Sequence, residues 1–357
     1  MTSKLFPNRS ALLDSLRAVA VIMVVVFHVA TRYPAETLDP LARVFLRYGF
    51  LGVDVFFPLS GFLITRFLLS HDGPGAIKAF FLRRVFRIIP LYMVAVTIFY
   101  VAARATGYEA ENLPFIWATY TFLTGWFAFL NGPDSTPYTI TWSLSVEEFA
   151  YLIFGLAAWV LRGSFRSFLV VVAVLPFLLR LYLYAQGHEN IYYFPLARLD
   201  SIAFGGLTAV LIAHVRHLWA WLAGAAVLAA GVMQVDGVLG NAMLFTTVTL
   251  IACTLIALAE GPFRQMRGRV WSALGNVGLY SYFIYLFHFF NLYALDMMFR
   301  KAGLGLPPFW VMSLLCLLAT YVQGWISFRF FEEPIMLFGR RLEKSVSSRR
   351  SAAPEAR

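Results

Sequence analysis

Apolar residues gather in runs of about 20, separated by polar or turn-forming stretches. This is the pattern of helices that cross a bilayer, not of helices that cover a soluble core. The runs fall at about 11–30, 48–68, 88–104, 142–161, 167–184, 196–213, 218–234, 241–259, 273–298 and 306–330, which predicts ten crossings. Gly- and Pro-rich breaks such as HDGPG and NGPDSTP divide them. The first run is read as a retained helix, because Arg17 interrupts it and no small-x-small cleavage site follows. An eleventh run, about 113–130, is long enough to cross, yet Asn112, Pro114, Asn131 and Pro133 at its ends equally suit a re-entrant or peripheral segment.

The distribution of positive charge decides that case. If 113–130 does not cross, the cytoplasmic segments hold 18 Lys/Arg and the external ones 5; if it crosses, the tally inverts to 8 inside and 15 outside. Only the first agrees with the positive-inside rule. The expected fold is therefore an all-α integral-membrane bundle of about ten transmembrane helices, with both termini cytoplasmic and one additional re-entrant or peripheral apolar segment. Residues 1–10 are a cytoplasmic N-terminal segment, 11–338 the membrane domain, and 339–357 a basic, disordered cytoplasmic tail.

Composition supports this and narrows the function. Of 357 residues, 60% are hydrophobic and 13% charged, against roughly 25% charged in soluble domains. An ordinary soluble enzyme is excluded. The net charge of +10 is a topology signal with attraction to anionic lipid, so no nucleic-acid partner is expected. Cys253 and Cys316 lie in apolar runs and form neither a disulfide framework nor a zinc site. No HExxH, P-loop or Gly-rich dinucleotide fingerprint is present, so no metal and no permanently bound cofactor is expected.

A charge at membrane depth is costly and needs a partner, a wet cavity or a task. The first run holds Asp14, Arg17 and His28. Eleven residues turn a helix through three turns and about 20°, so Arg17 and His28 share a face about 16 Å apart. That face lines something polar, unless the two simply reach opposite interfaces. Asp54 falls at the depth of His28 on the neighbouring helix. A carboxylate there would fix the imidazole tautomer and make His28 a general base, and the same pair would serve as a hydrogen bond stapling two helices. Ser60 and Gly61 permit close helix approach.

Arg84 and Arg87, three apart at the cytoplasmic start of the third run, suit a phosphate clamp or an anchor to lipid phosphate, with Arg83 pointing elsewhere. Glu147 shares a face with Ser143 and Tyr151 and is the acid expected to face a polar interior; Glu148 falls on another face. Local ion pairing accounts for part of the set Arg180, Arg198 and Asp200. Ser281, Tyr285 and His288 form one stripe, read as a lined cavity or as Tyr–His packing between helices.

Five segments, in order, resemble the acyltransferase-3 family of bacterial membrane acyltransferases. LDSLRAVAVIMVVVFH is similar to the family's opening Arg-x10-His segment, GVDVFFPLSGFLIT to its second-helix motif, and RRVFRIIPLY to its Arg-x-x-Arg motif. WSLSVEEFAY is similar to its Trp-Ser-Leu…Glu motif and SYFIYLFH to its late helix, and the resemblance covers about residues 9–338.

The resemblance implies transfer of an acyl group, usually acetyl, from cytoplasmic acyl-CoA to a hydroxyl of an extracytoplasmic glycan, glycolipid or other acceptor, by a multi-pass protein of the bacterial inner membrane. It makes Arg17 and His28 the first-helix pair, Asp54 the second-helix acid, Arg84 and Arg87 the cytoplasmic, CoA-binding pair, and Glu147 the acid of the Trp-Ser-Leu motif. His28, oriented by Asp54, would deprotonate the acceptor or form an acyl-histidine. Ala18, Pro58 and Glu333 depart from the common pattern without removing a proposed chemical group. Relatives often carry a C-terminal transfer domain that this sequence lacks, which suggests single-component transfer or a separate transfer protein. The competing function is a transporter or flippase using the same buried groups as a proton or anion path.

Overall fold

The computed structural model describes residues 10–70, 74–213, 217–232, 235, 237–266 and 268–351. Among them the chain is helical without strands. The helices are α1 (Ala11–Ala30), α2 (Pro40–Tyr48), α3 (Gly52–Ser70), α4 (Pro74–Thr106), α5 (Ile116–Tyr120), α6 (Thr124–Asn131), α7 (Trp142–Leu161) and α8 (Phe165–Ala185). They continue with α9 (Leu199–Leu211), α10 (Leu218–Val232), α11 (Gly237–Glu260), α12 (Arg269–Leu279), α13 (Ser281–Lys301), α14 (Phe309–Ser327) and α15 (Glu333–Ser351).

Among the described residues, seven helical stretches are long and apolar enough to cross a membrane: Ala11–Ala30, Pro40–Ser70, Gly75–Thr106, Thr139–Leu161, Phe165–Ala185, Ala242–Glu260 and Phe309–Glu343. The other three predicted crossings fall short for identifiable reasons. α9 and α10 have 13 and 15 residues, about 20 Å each against a hydrocarbon core of about 30 Å. The run at 273–298 divides at Tyr280 into α12 and α13, and α13 has the length but carries His288, Asn291 and Asp296. The expected disordered tail is helical as far as Ser351, and residues 352–357 lie outside the described residues.

The ambiguous segment 113–130 breaks into α5 and α6, of five and eight residues, neither long enough to span. It is tied inward by polar groups. Tyr92 of α4 donates to the Thr119 carbonyl at 2.6 Å, and the Gly125 amide donates to Ser145 of α7 at 3.0 Å. These bonds satisfy backbone that a lipid environment would leave unpaired.

α1 runs through the centre, packed on α3, α12, α13 and α14. Ser10 caps it and Asp14 sits in its first turn, both favourable at a helix N-terminus. Ala18, Ala20, Val21, Val24, Val25 and Val29 are fully buried, so small and β-branched side chains let neighbours crowd most of α1, with Val19 left exposed. α8, in contrast, turns Val170, Val171, Val174, Leu175 and Leu178 outward, an apolar face suited to lipid.

α3 and α9 meet backbone to backbone. A Cβ on Gly61 would lie 1.8 Å from the Ile202 carbonyl oxygen, and one on Gly205 would lie 2.0 Å from that of Pro58. Small residues buy this close approach in membrane bundles. Gly61→Val is therefore expected to cost about 1–3 kcal/mol or more through overpacking, read as a lower melting temperature and yield in detergent.

Candidate active site

Three cavities follow one another along α1, α4 and α13. The first, about 530 Å³, lies at the Ser10 end of α1 and is lined by six arginines, Arg17, Arg66, Arg83, Arg84, Arg87 and Arg340, against two carboxylates, Asp14 and Glu260. Asp14 pairs with Arg17 and Glu260 with Arg66, each at 2.5 Å, and Glu343 grips Arg83 through two bonds of 2.7 and 2.8 Å. Arg83 is thus held by α15, although it lines the same cavity as Arg84 and Arg87. The Arg84 guanidinium lies 4.6 Å from the Tyr151 ring centre, a cation–π contact that orients it. The excess of positive charge suits a polyanion such as a nucleotide phosphate.

Arg17, Arg84 and Arg87 also line the second cavity, about 90 Å³, together with Ser60, Ser143, Glu147, Ser281 and Tyr285. Glu147 accepts hydrogen bonds from Ser60 at 3.1 Å and from Tyr151 at 2.5 Å. The sequence expectation that Glu147, not Glu148, faces the polar interior matches this placement. Tyr285, from the predicted stripe, bonds to Ser143 at 2.8 Å and to the Ile140 carbonyl at 2.6 Å. The third cavity, about 190 Å³, lies at the other end of α1 and is lined by Arg32, Glu109 and several aromatic rings.

His28 sits between the last two. On α1 it falls between Arg17 and Arg32; on α13 its partner His288 falls between Tyr285 and Phe289, which line the second and third cavities. The predicted His28–Asp54 pair does not form. His28 Nδ1 instead lies 3.1 Å from His288 Nε2 and 2.9 Å from the Val24 carbonyl. Hydrogen-bond partners assign the protons. His288 Nδ1 faces the carbonyls of Tyr285 at 2.7 Å and Ile284 at 3.2 Å, which only accept, so that nitrogen carries the hydrogen and Nε2 keeps its lone pair. Two acceptors then surround His28 Nδ1, which donates, and the free lone pair of His28 is on Nε2. A second imidazole holds the tautomer that a carboxylate was expected to hold.

Asp54 is fully buried and paired with Arg198, itself fully buried with its guanidinium 4.1 Å from the Phe245 ring centre. The nearby acid Asp200 goes to Arg180 through bonds of 2.6 and 2.9 Å. These are two buried ion pairs between elements, not a local pair within one motif. The rotation of α3 turns Asp54 toward Arg198 at the start of α9. The shared stripe of Tyr285 and His288 was the one sequence signal for the second histidine.

The model of the acyltransferase-3 family, described as an acyltransferase domain, matches residues 11–328. The chain belongs to this family. It is 27% identical over 368 residues to the peptidoglycan O-acetyltransferase OatA of Listeria monocytogenes, covering 90% of this chain and 55% of that protein. It is also 27% identical over 368 residues to YrhL of Bacillus subtilis, provisionally named a peptidoglycan O-acetyltransferase, covering 92% and 55%. Provisionally named O-acetyltransferases of Staphylococcus aureus match at 27% over 220 residues, covering 56% of this chain and 34% of theirs. The chain thus spans about a third to about half the length of these relatives. No solved structure matches significantly. Family membership and the long apolar helices make it a multi-pass membrane protein of the acyltransferase-3 family.

Proposed function

We propose that this chain transfers an acyl group, acetyl in the first instance, from cytoplasmic acyl-CoA to a hydroxyl of an extracytoplasmic glycan or glycolipid, within the bacterial inner membrane. In this reading the chain crosses the membrane ten times with both termini cytoplasmic. The observation that carries this reading is the succession of cavities from an arginine basin, through one lined by Glu147, to an aromatic cleft whose Phe289 packs against His28.

Arg84 and Arg87 bind CoA phosphates as paired donor forks. About 16 Å of helix separates Arg17 from His28, a gap that the extended pantetheine arm bridges through the second cavity. His28 Nε2 takes the proton of the acceptor hydroxyl as its oxygen attacks the thioester carbonyl. The C–S bond breaks, and the departing thiolate takes the proton from the His28 imidazolium to leave as CoA–SH. Arg17, which lines both inner cavities, guides the pantetheine arm. Glu147 fixes Ser60 and Tyr151 around the arm.

The test is thermal stability and labelled-acetyl release of detergent-purified protein with acetyl-CoA. CoA at a hundred times its Kd is expected to stabilise the wild type by about 2.7 kcal/mol, and Arg84→Ala/Arg87→Ala to abolish that shift. No CoA effect in folded wild-type protein overturns the proposal in favour of transport.

A further inference from the structure

The third cavity is more specifically built than an exit for product requires. Arg32 contributes a guanidinium from the turn after α1, and Thr139 a hydroxyl. Glu109 Oε2 is buried with no hydrogen-bond partner, an arrangement that costs free energy unless something completes it. Tyr293 of α13 lines the cleft and is 40% exposed, an aromatic face open to a ligand.

The backbone adds an independent observation. Glu109 and Tyr138 hold φ of +50° and +57°, a left-handed conformation that side chains other than glycine rarely adopt, and both line this cleft. Such strained positions gather where a ligand is clamped. The cleft also touches the reacting centre: Phe289 lines it and packs 4.7 Å from the His28 ring centre. Its volume of about 190 Å³ is below the ~300–1,000 Å³ of drug-sized pockets and suits a single ring.

We propose that this cleft is the acceptor site and takes one sugar ring, with Glu109 accepting from a ring hydroxyl, Arg32 donating to another, and Tyr293 covering the ring's C–H face. A carboxylate and a guanidinium set among aromatic walls match a neutral molecule rich in hydroxyls. The ring presents its free hydroxyl toward Phe289 and His28. The assignment rests on the acyltransferase reading above.

The experiment measures labelled acetyl transfer from acetyl-CoA to a panel of methyl glucoside, methyl N-acetylglucosaminide and soluble muropeptide. It compares wild type, Glu109→Gln, Arg32→Gln and Tyr293→Ala, with the CoA-dependent thermal shift as the measure of folding. Each variant is expected to keep that shift and to raise the KM for the sugar by about tenfold or more, the scale of a lost hydrogen bond to a charged group. An unchanged sugar KM in all three variants overturns the proposal. So does wild-type protein that turns over acetyl-CoA yet acetylates no sugar of the panel. Wild type that turns over no acetyl-CoA at all overturns the acyltransferase reading itself, a distinct failure.

Discussion

His28→Ala is expected to lower acetyl transfer by about 10²–10⁴-fold, the range of a general base, while leaving the CoA-dependent thermal shift and the yield unchanged. The reason is position. His28 lines neither the arginine basin nor the second cavity, so its removal is expected to take away the proposed proton acceptor and to leave CoA binding intact. Its partner gives a graded version of the same experiment. His288→Ala removes the acceptor on one side of His28 Nδ1 and leaves only the Val24 carbonyl to hold the ring. kcat is expected to fall about 10–100-fold, the usual cost of losing a group that orients an imidazole, with the KM for acetyl-CoA unchanged. His288→Gln presents an amide oxygen that still accepts from Nδ1 and recovers part of the loss. Full activity in His28→Ala would remove the base from the mechanism, and an identical loss in His288→Ala and His288→Gln would reduce His288 to packing.

That second histidine marks where the sequence was legible and where it was not. Runs of apolar residues locate helices because lipid demands about 20 of them, which is why α1, α7 and α8 stand close to their predicted bounds. The same rule failed at α2, counted as part of an external loop. It has only nine residues and carries Arg43 and Arg47, yet Asp39 caps the Leu41 and Ala42 amides and Pro40 occupies the first turn, signals of a helix start that hydropathy does not register. α4 extends to Pro74, well before its predicted start, because the charged segment containing Arg83, Arg84 and Arg87 is helical too.

At the site, Arg84 and Arg87, three apart on α4, line the same two cavities as Arg17, and Glu147 lines the second. Pairing between helices was not legible, since position along a helix leaves rotation about its axis undetermined. A carboxylate and an imidazole at similar depth looked like partners, and each found another. Glu109 and Arg32 belong to no motif, and only the tertiary fold brings them to one cleft.

Asp54→Ala separates the two accounts of the second-helix acid. The structure makes Asp54 the counter-ion of Arg198, both at 0% exposure. Truncating one partner of such a pair strands the other charge in a low-dielectric interior, at about 3–5 kcal/mol. Asp54→Ala is therefore expected to lower the melting temperature and yield, and to lose the CoA shift along with activity, unlike His28→Ala. The double variant Asp54→Leu/Arg198→Met removes both charges and both desolvation costs, so stability is expected to return toward wild type. Its activity then decides the role. If transfer returns with stability, Asp54 acts through the fold, holding α3 against α9 so that His28, on the neighbouring α1, keeps its place. If the protein is stable, binds CoA and still transfers nothing, the carboxylate takes part in the reaction, and the pairing with Arg198 is only one of the states it visits during turnover.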